Sequence, residues 1–99
     1  MALGILPPIH PGEILREEYL GPLNMSAGAL ARSLGVPRTR IERLAAGHTS
    51  VTTDTALRLG KFFRTSPQFW MNMQSGYDLK IEAEAKRDEI AAIKELETA

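Results

Sequence analysis

The 99-residue sequence predicts an all-α protein of five helices followed by a polar helical extension. Three observations indicate this fold class: helix-starting and helix-ending residues recur along the chain, apolar residues recur three or four positions apart, and no segment alternates like a β-strand. A chain of this length forms one small domain. We assign residues 1–9 to an N-terminal arm, 10–79 to the domain and 80–99 to the C-terminal helical extension.

Each predicted helix begins and ends at residues of the expected type. Proline in the first turn needs no backbone donor, and a Ser or Thr side chain caps the free N–H groups. Glycine tolerates the left-handed conformation that follows a helix. These signals start helices at Pro11, Ser26, Pro37, Thr52 and Ser66, and end the first three at Gly21-Pro22, Gly35 and Gly47.

The apolar residues of each helix lie on one face and predict the core. The fifth helix carries Phe69, Trp70, Met73 and Tyr77, which are most simply core residues. The alternative is that Trp70 and Tyr77 contribute to a dimer interface, because a small domain has limited interior for so many large side chains. Earlier helices contribute Leu15, Tyr19, Leu30, Ala31, Leu34, Ile41, Leu44, Ala56, Leu59 and Phe63.

Charge is unevenly distributed along the chain, although the formal net charge is zero. Residues 26–64 carry seven basic and two acidic side chains, whereas residues 1–25 and 65–99 are both net acidic. A basic segment between acidic ends favours a local polyanionic partner. A chance excess of basic residues explains this composition equally well when no motif accompanies it.

The sequence contains no recognisable site for catalysis, a metal or a cofactor. It has no cysteine, and neither His10 nor His48 lies among acidic residues at metal-ligand spacing. No serine has the histidine and aspartate partners of a hydrolase triad, and no glycine-rich phosphate loop occurs. No apolar run approaches the ~18 residues of a membrane span, and no signal peptide is recognised. We therefore expect a cytoplasmic protein that is not an enzyme.

Residues 27–46 have the pattern of a helix-turn-helix, in which a glycine turn joins two short helices. Ala31 lies where the helices cross most closely, and Gly35 lies in the turn, where a positive φ is accessible to glycine. A packed helical hairpin of another function shares part of this pattern. The five positions that must face inward hold Leu30, Leu34, Val36, Ile41 and Leu44.

The outward face of the second of these helices indicates DNA binding. A recognition helix enters the major groove with its N-terminal residues, where arginine pairs with guanine and threonine contacts a base edge. The alternative is a solvated face of a protein-binding hairpin. We predict base contacts from Arg38, Thr39, Glu42 and Arg43, a base or phosphate contact from Arg40, and phosphate contacts from Arg32, His48, Thr49, Ser50 and Thr53.

This helix-turn-helix resembles the lambda-repressor/Cro-like (XRE) type, a five-helix DNA-binding domain whose second and third helices read DNA. Four further blocks, at residues 10–20, 52–59, 65–74 and 77–79, resemble the HigA antitoxin family. The likeness covers roughly residues 8–82. It implies a bacterial homodimer that binds a palindromic operator, represses its own operon and neutralises a HigB toxin, which is a RelE-like mRNA endonuclease.

The loop after the recognition helix departs from the family pattern. Gly47-His48-Thr49-Ser50 occupies the place where the family often has Asn-Gly-Lys-Arg, so a weaker phosphate contact is expected there. Two alternative functions remain open. One is a protein-binding module that sequesters a toxin without binding DNA, and the other is a stand-alone XRE-type transcriptional regulator without a toxin.

Overall fold

The computed structural model describes residues 7–97, and within this range the chain is all-α, with six helices and no strand. The helices confirm the predicted fold class. Residues 1–6 of the N-terminal arm lie outside the described residues. Helix α1 comprises an α-helical turn, Pro11–Ile14, a π-helical stretch, Leu15–Leu20, and a short α-helical end, Gly21–Leu23. The other helices are α2 (Ala27–Leu34), α3 (Arg38–Ala45), α4 (Thr53–Phe63), α5 (Pro67–Ala85) and α6 (Arg87–Ala91).

Four of the helices begin at side-chain caps, as the sequence predicts for three of them. The hydroxyl groups of Ser26, Thr52 and Ser66 each accept a hydrogen bond from a backbone N–H three residues later. His10 caps α1, because its Nδ1 atom accepts a hydrogen bond of 2.8 Å from the backbone N–H of Gly12. These caps satisfy N–H groups that the helices themselves leave without partners.

The prediction that Gly21-Pro22 ends the first helix is wrong. The helix continues to Leu23 and ends at Asn24, which adopts a left-handed conformation with φ 53°. In an α-helix the proline ring clashes with the carbonyl group four residues earlier. Here the backbone before Pro22 is π-helical, and the N–H of Gly21 pairs with the carbonyl of Arg16, five residues earlier. The wider turn accommodates the proline.

Trp70 is wholly buried within its own chain, so its alternative assignment to a dimer interface is wrong. Its ring centroid lies 5.2 Å from that of Tyr19 and 6.3 Å from that of Phe63. Its indole N–H donates a 2.8 Å hydrogen bond to the hydroxyl of Thr65. These contacts from α1, α4 and the α4–α5 loop fill the interior and leave the indole no surface for a second copy.

The helix that carries Trp70 continues without a break across the predicted domain boundary at residue 80. Gln74 is its last buried residue, and its side-chain oxygen accepts a 2.8 Å hydrogen bond from the N–H of Val51. Beyond residue 77 every described side chain is exposed. The extension is therefore distinguished from the domain by the exposure of its side chains, and not by the end of a helix. It also contains α6. None of the described helices is both long enough and apolar enough to span a membrane.

Candidate nucleic-acid interface

Helices α2 and α3 form the predicted helix-turn-helix. Gly35 follows α2 with φ 73°, and its neighbour Val36 donates its N–H to the carbonyl of Ala31 at 3.0 Å. Helix α3 buries Ile41 and Leu44 against the core. Its outward face carries the exposed residues predicted to contact DNA: Arg38, Thr39, Arg40, Glu42 and Arg43.

The C-terminal end of α3 is held by α1. The guanidinium of Arg16 donates a 2.5 Å hydrogen bond to the carbonyl of Ala45, one of the carbonyls that a helix end leaves without a partner. Gly12 packs directly on the carbonyl of Leu44, a contact that leaves no room for a side chain. Contacts of α1 with two backbone carbonyl groups therefore fix where this end of α3 lies.

The N-terminal half of α3 is held by α4 through one carboxylate. Asp54 accepts a hydrogen bond of 2.6 Å from Nη1 of Arg40 and one of 2.9 Å from Nε of Arg58. Arg58 in turn donates 2.7 Å from its Nη1 to the carbonyl of Leu34 at the end of α2. One chain of charged hydrogen bonds thus joins α3, α4 and α2. Charge-assisted hydrogen bonds of this kind are stronger than neutral ones.

An open groove of about 400 Å³ lies between α3, the loop that follows it and the start of α4. It brings together five of the predicted DNA-contacting residues, three from the helix and two from the loop. Asp54 also lines this groove, which places a carboxylate on the face expected to meet a polyanion. The five predicted residues are Thr39, Arg40, Arg43, Thr49 and Ser50.

The remaining predicted contacts lie outside this groove. Arg38, the first residue of α3, pairs with Glu42 one turn later at 3.3 Å, and its stem lies across Gly28 of α2. Arg32 lies on the exposed face of α2, and His48 is exposed in the loop. Thr53 begins α4 and is also exposed.

Asp54 and Arg58 belong to this site, and the sequence reasoning did not identify either. Their spacing of four residues on one helix was the available signal, because such pairs form i,i+4 ion pairs. The hydrogen bond from Arg40, and to a lesser extent the one from Arg58, holds the pKa of the Asp54 carboxyl below its ordinary value. Among residues 7–97, no cluster of three His, Cys, Asp or Glu side chains could hold a metal ion.

Comparison with known proteins identifies the family. Residues 15–70 match the sequence profile described as helix-turn-helix. The antitoxin HigA of Pseudomonas aeruginosa, solved with the higBA promoter, superposes with a TM-score of 0.88 at 43% identity, over 91% of this chain and 99% of that one. Antitoxin HigA-1 of Vibrio cholerae is 35% identical over 72 residues, 73% of this chain and 68% of that protein. The chain is a member of the HigA antitoxin family.

A further relative carries a different name. Virulence-associated protein I of Dichelobacter nodosus is 50% identical to this HigA-family chain over 82 residues, which is 83% of the chain and 76% of that protein. The HigA family consists of helix-turn-helix antitoxins, so membership in it confirms the expectation that the chain is not an enzyme.

In this HigA-family chain the loop after α3, residues 47–50, is where the sequence departs from the family pattern. Gly47 has φ 79°, and the backbone N–H of His48 closes the turn by donating to the carbonyl of Arg43 at 2.9 Å. Thr49 and Ser50 then line the groove with hydroxyl groups. Neutral hydroxyls bind a phosphate by hydrogen bonds alone, so the expectation of a weaker loop contact remains a prediction.

Proposed function

We propose that this chain is a sequence-specific DNA-binding antitoxin. It binds operator DNA as a homodimer, represses its own operon and neutralises a HigB-like toxin, a RelE-type mRNA endonuclease. The observation that carries the DNA-binding part is the exposed outward face of α3, where Thr39, Arg40 and Arg43 lie beside the 49–50 loop. The P. aeruginosa HigA solved with a promoter supports the same assignment.

In the proposed complex, α3 enters the major groove with its N-terminal end. Arg38, Thr39, Glu42 and Arg43 contact base edges and specify sequence. The loop and the ends of the neighbouring helices contact phosphates and fix the register of the protein on the duplex. Each phosphate that a cationic side chain neutralises releases counterions, so the logarithm of affinity falls by ~0.9 per log unit of salt for each such phosphate. The residues expected to contact phosphates are Arg32, His48, Thr49, Ser50 and Thr53, and Arg40 is expected to contact a base or a phosphate.

Dimerisation would place two recognition helices ~34 Å apart, in successive major grooves. An apolar groove of about 270 Å³ supports a face for the second copy, on the side of α5 that Tyr77 occupies. Ile9, Ile14 and Met73 line it together with Tyr77, which is only half-buried in the single chain. Tyr77 therefore stays the interface candidate after Trp70 is excluded.

The antitoxin part of the proposal rests on the family relationship. HigA-1 of V. cholerae and HigA of P. aeruginosa are antitoxins by name. The exposed extension offers apolar side chains that the domain does not use, including Ile81, Ile90 and Ile93. A partner protein that covered them would stabilise the complex by roughly 25 cal/mol for each Å² of apolar surface removed from water.

The deciding experiment measures DNA binding and toxin binding separately. Fluorescence anisotropy compares a duplex from the region upstream of the gene with a scrambled duplex, using wild-type protein and Arg43→Ala. The proposal requires preference for the upstream duplex and loss of that preference in the variant. Co-purification with the product of the adjacent gene tests the toxin. Toxin binding without DNA preference would favour the sequestering module, and DNA preference with no toxin gene nearby would favour the stand-alone regulator.

A further inference from the structure

Asp54 occupies an unexpected place for an acidic residue. It lines the same groove as Thr39, Arg43 and Ser50, so a bound phosphate backbone would pass close to a carboxylate. Like charges repel, and a lone acid here would weaken binding to any DNA. Its position in the first turn of α4 suits the helix dipole. The dipole does not explain why two arginines from different helices converge on one of its oxygens.

The geometry shows that Asp54 is aimed at Arg40. Oδ2 of Asp54 lies 2.6 Å from Nη1 of Arg40, the shortest ion pair among the described residues. Arg58 holds the same oxygen at 2.9 Å and is itself anchored on the carbonyl of Leu34 at 2.7 Å. The carboxylate is therefore also braced by Arg58, through contacts that do not involve Arg40. Such bracing reduces the freedom of the arginine to turn elsewhere.

We infer that Asp54 withholds Arg40 from the DNA backbone and thereby lowers the affinity of the protein for DNA of any sequence, non-operator DNA included. The inference rests on the proposed function, because it concerns the same DNA-binding face. It changes the expectation for Arg40. The ion pair with Asp54 holds this side chain in place, so that it does not contact a phosphate. Discrimination then depends on residues such as Arg43, for which the structure gives no ion pair among residues 7–97.

Withholding one cation has a measurable signature. A phosphate contact adds ~0.9 to the slope of log affinity against log salt, so one released arginine makes the loss of affinity between 50 and 200 mM salt about 3.5-fold larger. The effect applies to operator and non-operator duplexes alike, because phosphates are present in both. The ratio of operator to non-operator affinity is expected to stay the same, since base contacts do not change.

The test is a double-mutant cycle measured by fluorescence anisotropy on a scrambled duplex and on the upstream duplex. Asp54→Ala is expected to steepen the salt slope by about 0.9, and the steepening is expected to vanish when Arg40→Ala is also present. Effects of D54A on the helix dipole, on Arg58 or on local charge would persist in the R40A background. The cycle therefore isolates the pair.

Glu84→Ala is the matched control. It removes the carboxylate that pairs with Arg87 at 3.5 Å on the extension, so it releases an arginine far from the groove. Its salt slope is expected to equal that of the wild type. Thermal unfolding followed by circular dichroism confirms that each variant is folded, and Asp54→Asn replaces D54A in the cycle if D54A is not.

Two outcomes overturn the inference alone: operator preference in the wild type with an unchanged slope in D54A, or a slope change that persists in D54A/R40A. A wild-type protein that prefers neither duplex contradicts the proposed function and the inference together. A slope that rises in D54A and returns in the double variant supports the inference.

Discussion

A Cβ atom built on Gly12 would lie 1.8 Å from the backbone carbonyl oxygen of Leu44. The start of α1 therefore touches the end of the recognition helix through backbone atoms, which cannot rotate aside as a side chain can. The contact fixes how far α3 stands from the rest of the domain. Any side chain at residue 12 must push the two helices apart.

We expect Gly12→Ala to destabilise the fold and to weaken operator binding. Forcing a methyl group into a packed site costs about 1–3 kcal/mol, and here the neighbour is backbone. Chemical denaturation measures the stability, and anisotropy measures the binding. Gly76→Ala is the control for the stability measurement, because a Cβ at residue 76 meets nothing within 4 Å in the single chain, so G76A is expected to stabilise the helix by up to ~1 kcal/mol. Equal stability of G12A and wild type would refute the contact.

The capping residues show what the sequence alone could predict. A cap joins a side chain to an N–H group three residues later, so Ser26, Thr52 and Ser66 are identified by local spacing. The left-handed glycine after α2 follows the same local logic. The helix-turn-helix was predictable for this reason, since its two helices and turn lie within 20 consecutive residues.

The contacts that orient the site join residues far apart in sequence. Arg40 and Asp54 are separated by 14 residues, and Arg16 and Ala45 by 29. No local pattern specifies such pairs, because they depend on how whole helices pack. The sequence predicts Trp70 as a core residue, and its burial confirms this. The side chains of α1 and α4 that surround it were not predictable, on the same grounds.

Thr65→Val tests the anchoring of Trp70. The variant keeps the shape of the side chain but removes the hydroxyl that accepts the indole N–H at 2.8 Å. A buried donor left without a partner costs about 1–3 kcal/mol, so we expect a loss of stability of this size. Chemical denaturation followed by tryptophan fluorescence measures it directly, since the chain has one tryptophan. Thr53→Val is the control at an exposed site, and a loss no greater than in T53V would argue against the hydrogen bond.

Stability is expected to depend on pH through His10. Partial burial lowers its pKa below the ordinary 6.5, against the opposing effects of the Thr49 backbone and the Asp78 charge. The folded protein then binds fewer protons than the unfolded chain just below pH 6.5. The contribution of the neutral His10 is therefore complete above pH 6.5 and is lost as the pH falls through the lowered pKa. Protonation also places a donor at Nδ1, where the cap of Gly12 requires an acceptor.

Denaturation curves between pH 5 and 8 measure this dependence. We expect the free energy of unfolding to rise with pH across the lower part of this range in wild type and to rise less in His10→Asn, which retains a capping acceptor without a titrating group. His48→Asn is the control, since His48 is exposed in the loop and leaves His10 in place. A wild-type dependence that H10N preserves would assign the titration to other groups.

Substitutions of Arg38 test whether this residue contacts a base or a phosphate. It is the first residue of α3, at the helix end that would enter the groove, and it pairs with Glu42 at 3.3 Å. If Arg38 pairs with a guanine, Arg38→Ala is expected to cost about 1–3 kcal/mol of binding and to relax preference at one base pair. Arg38→Lys keeps the charge but lacks the rigid planar fork of arginine, so it is expected to weaken the preference as well. Anisotropy against duplexes with single base-pair substitutions measures both effects. Uniform weakening across all duplexes in R38A, with recovery in R38K, would reassign the residue to the phosphate backbone.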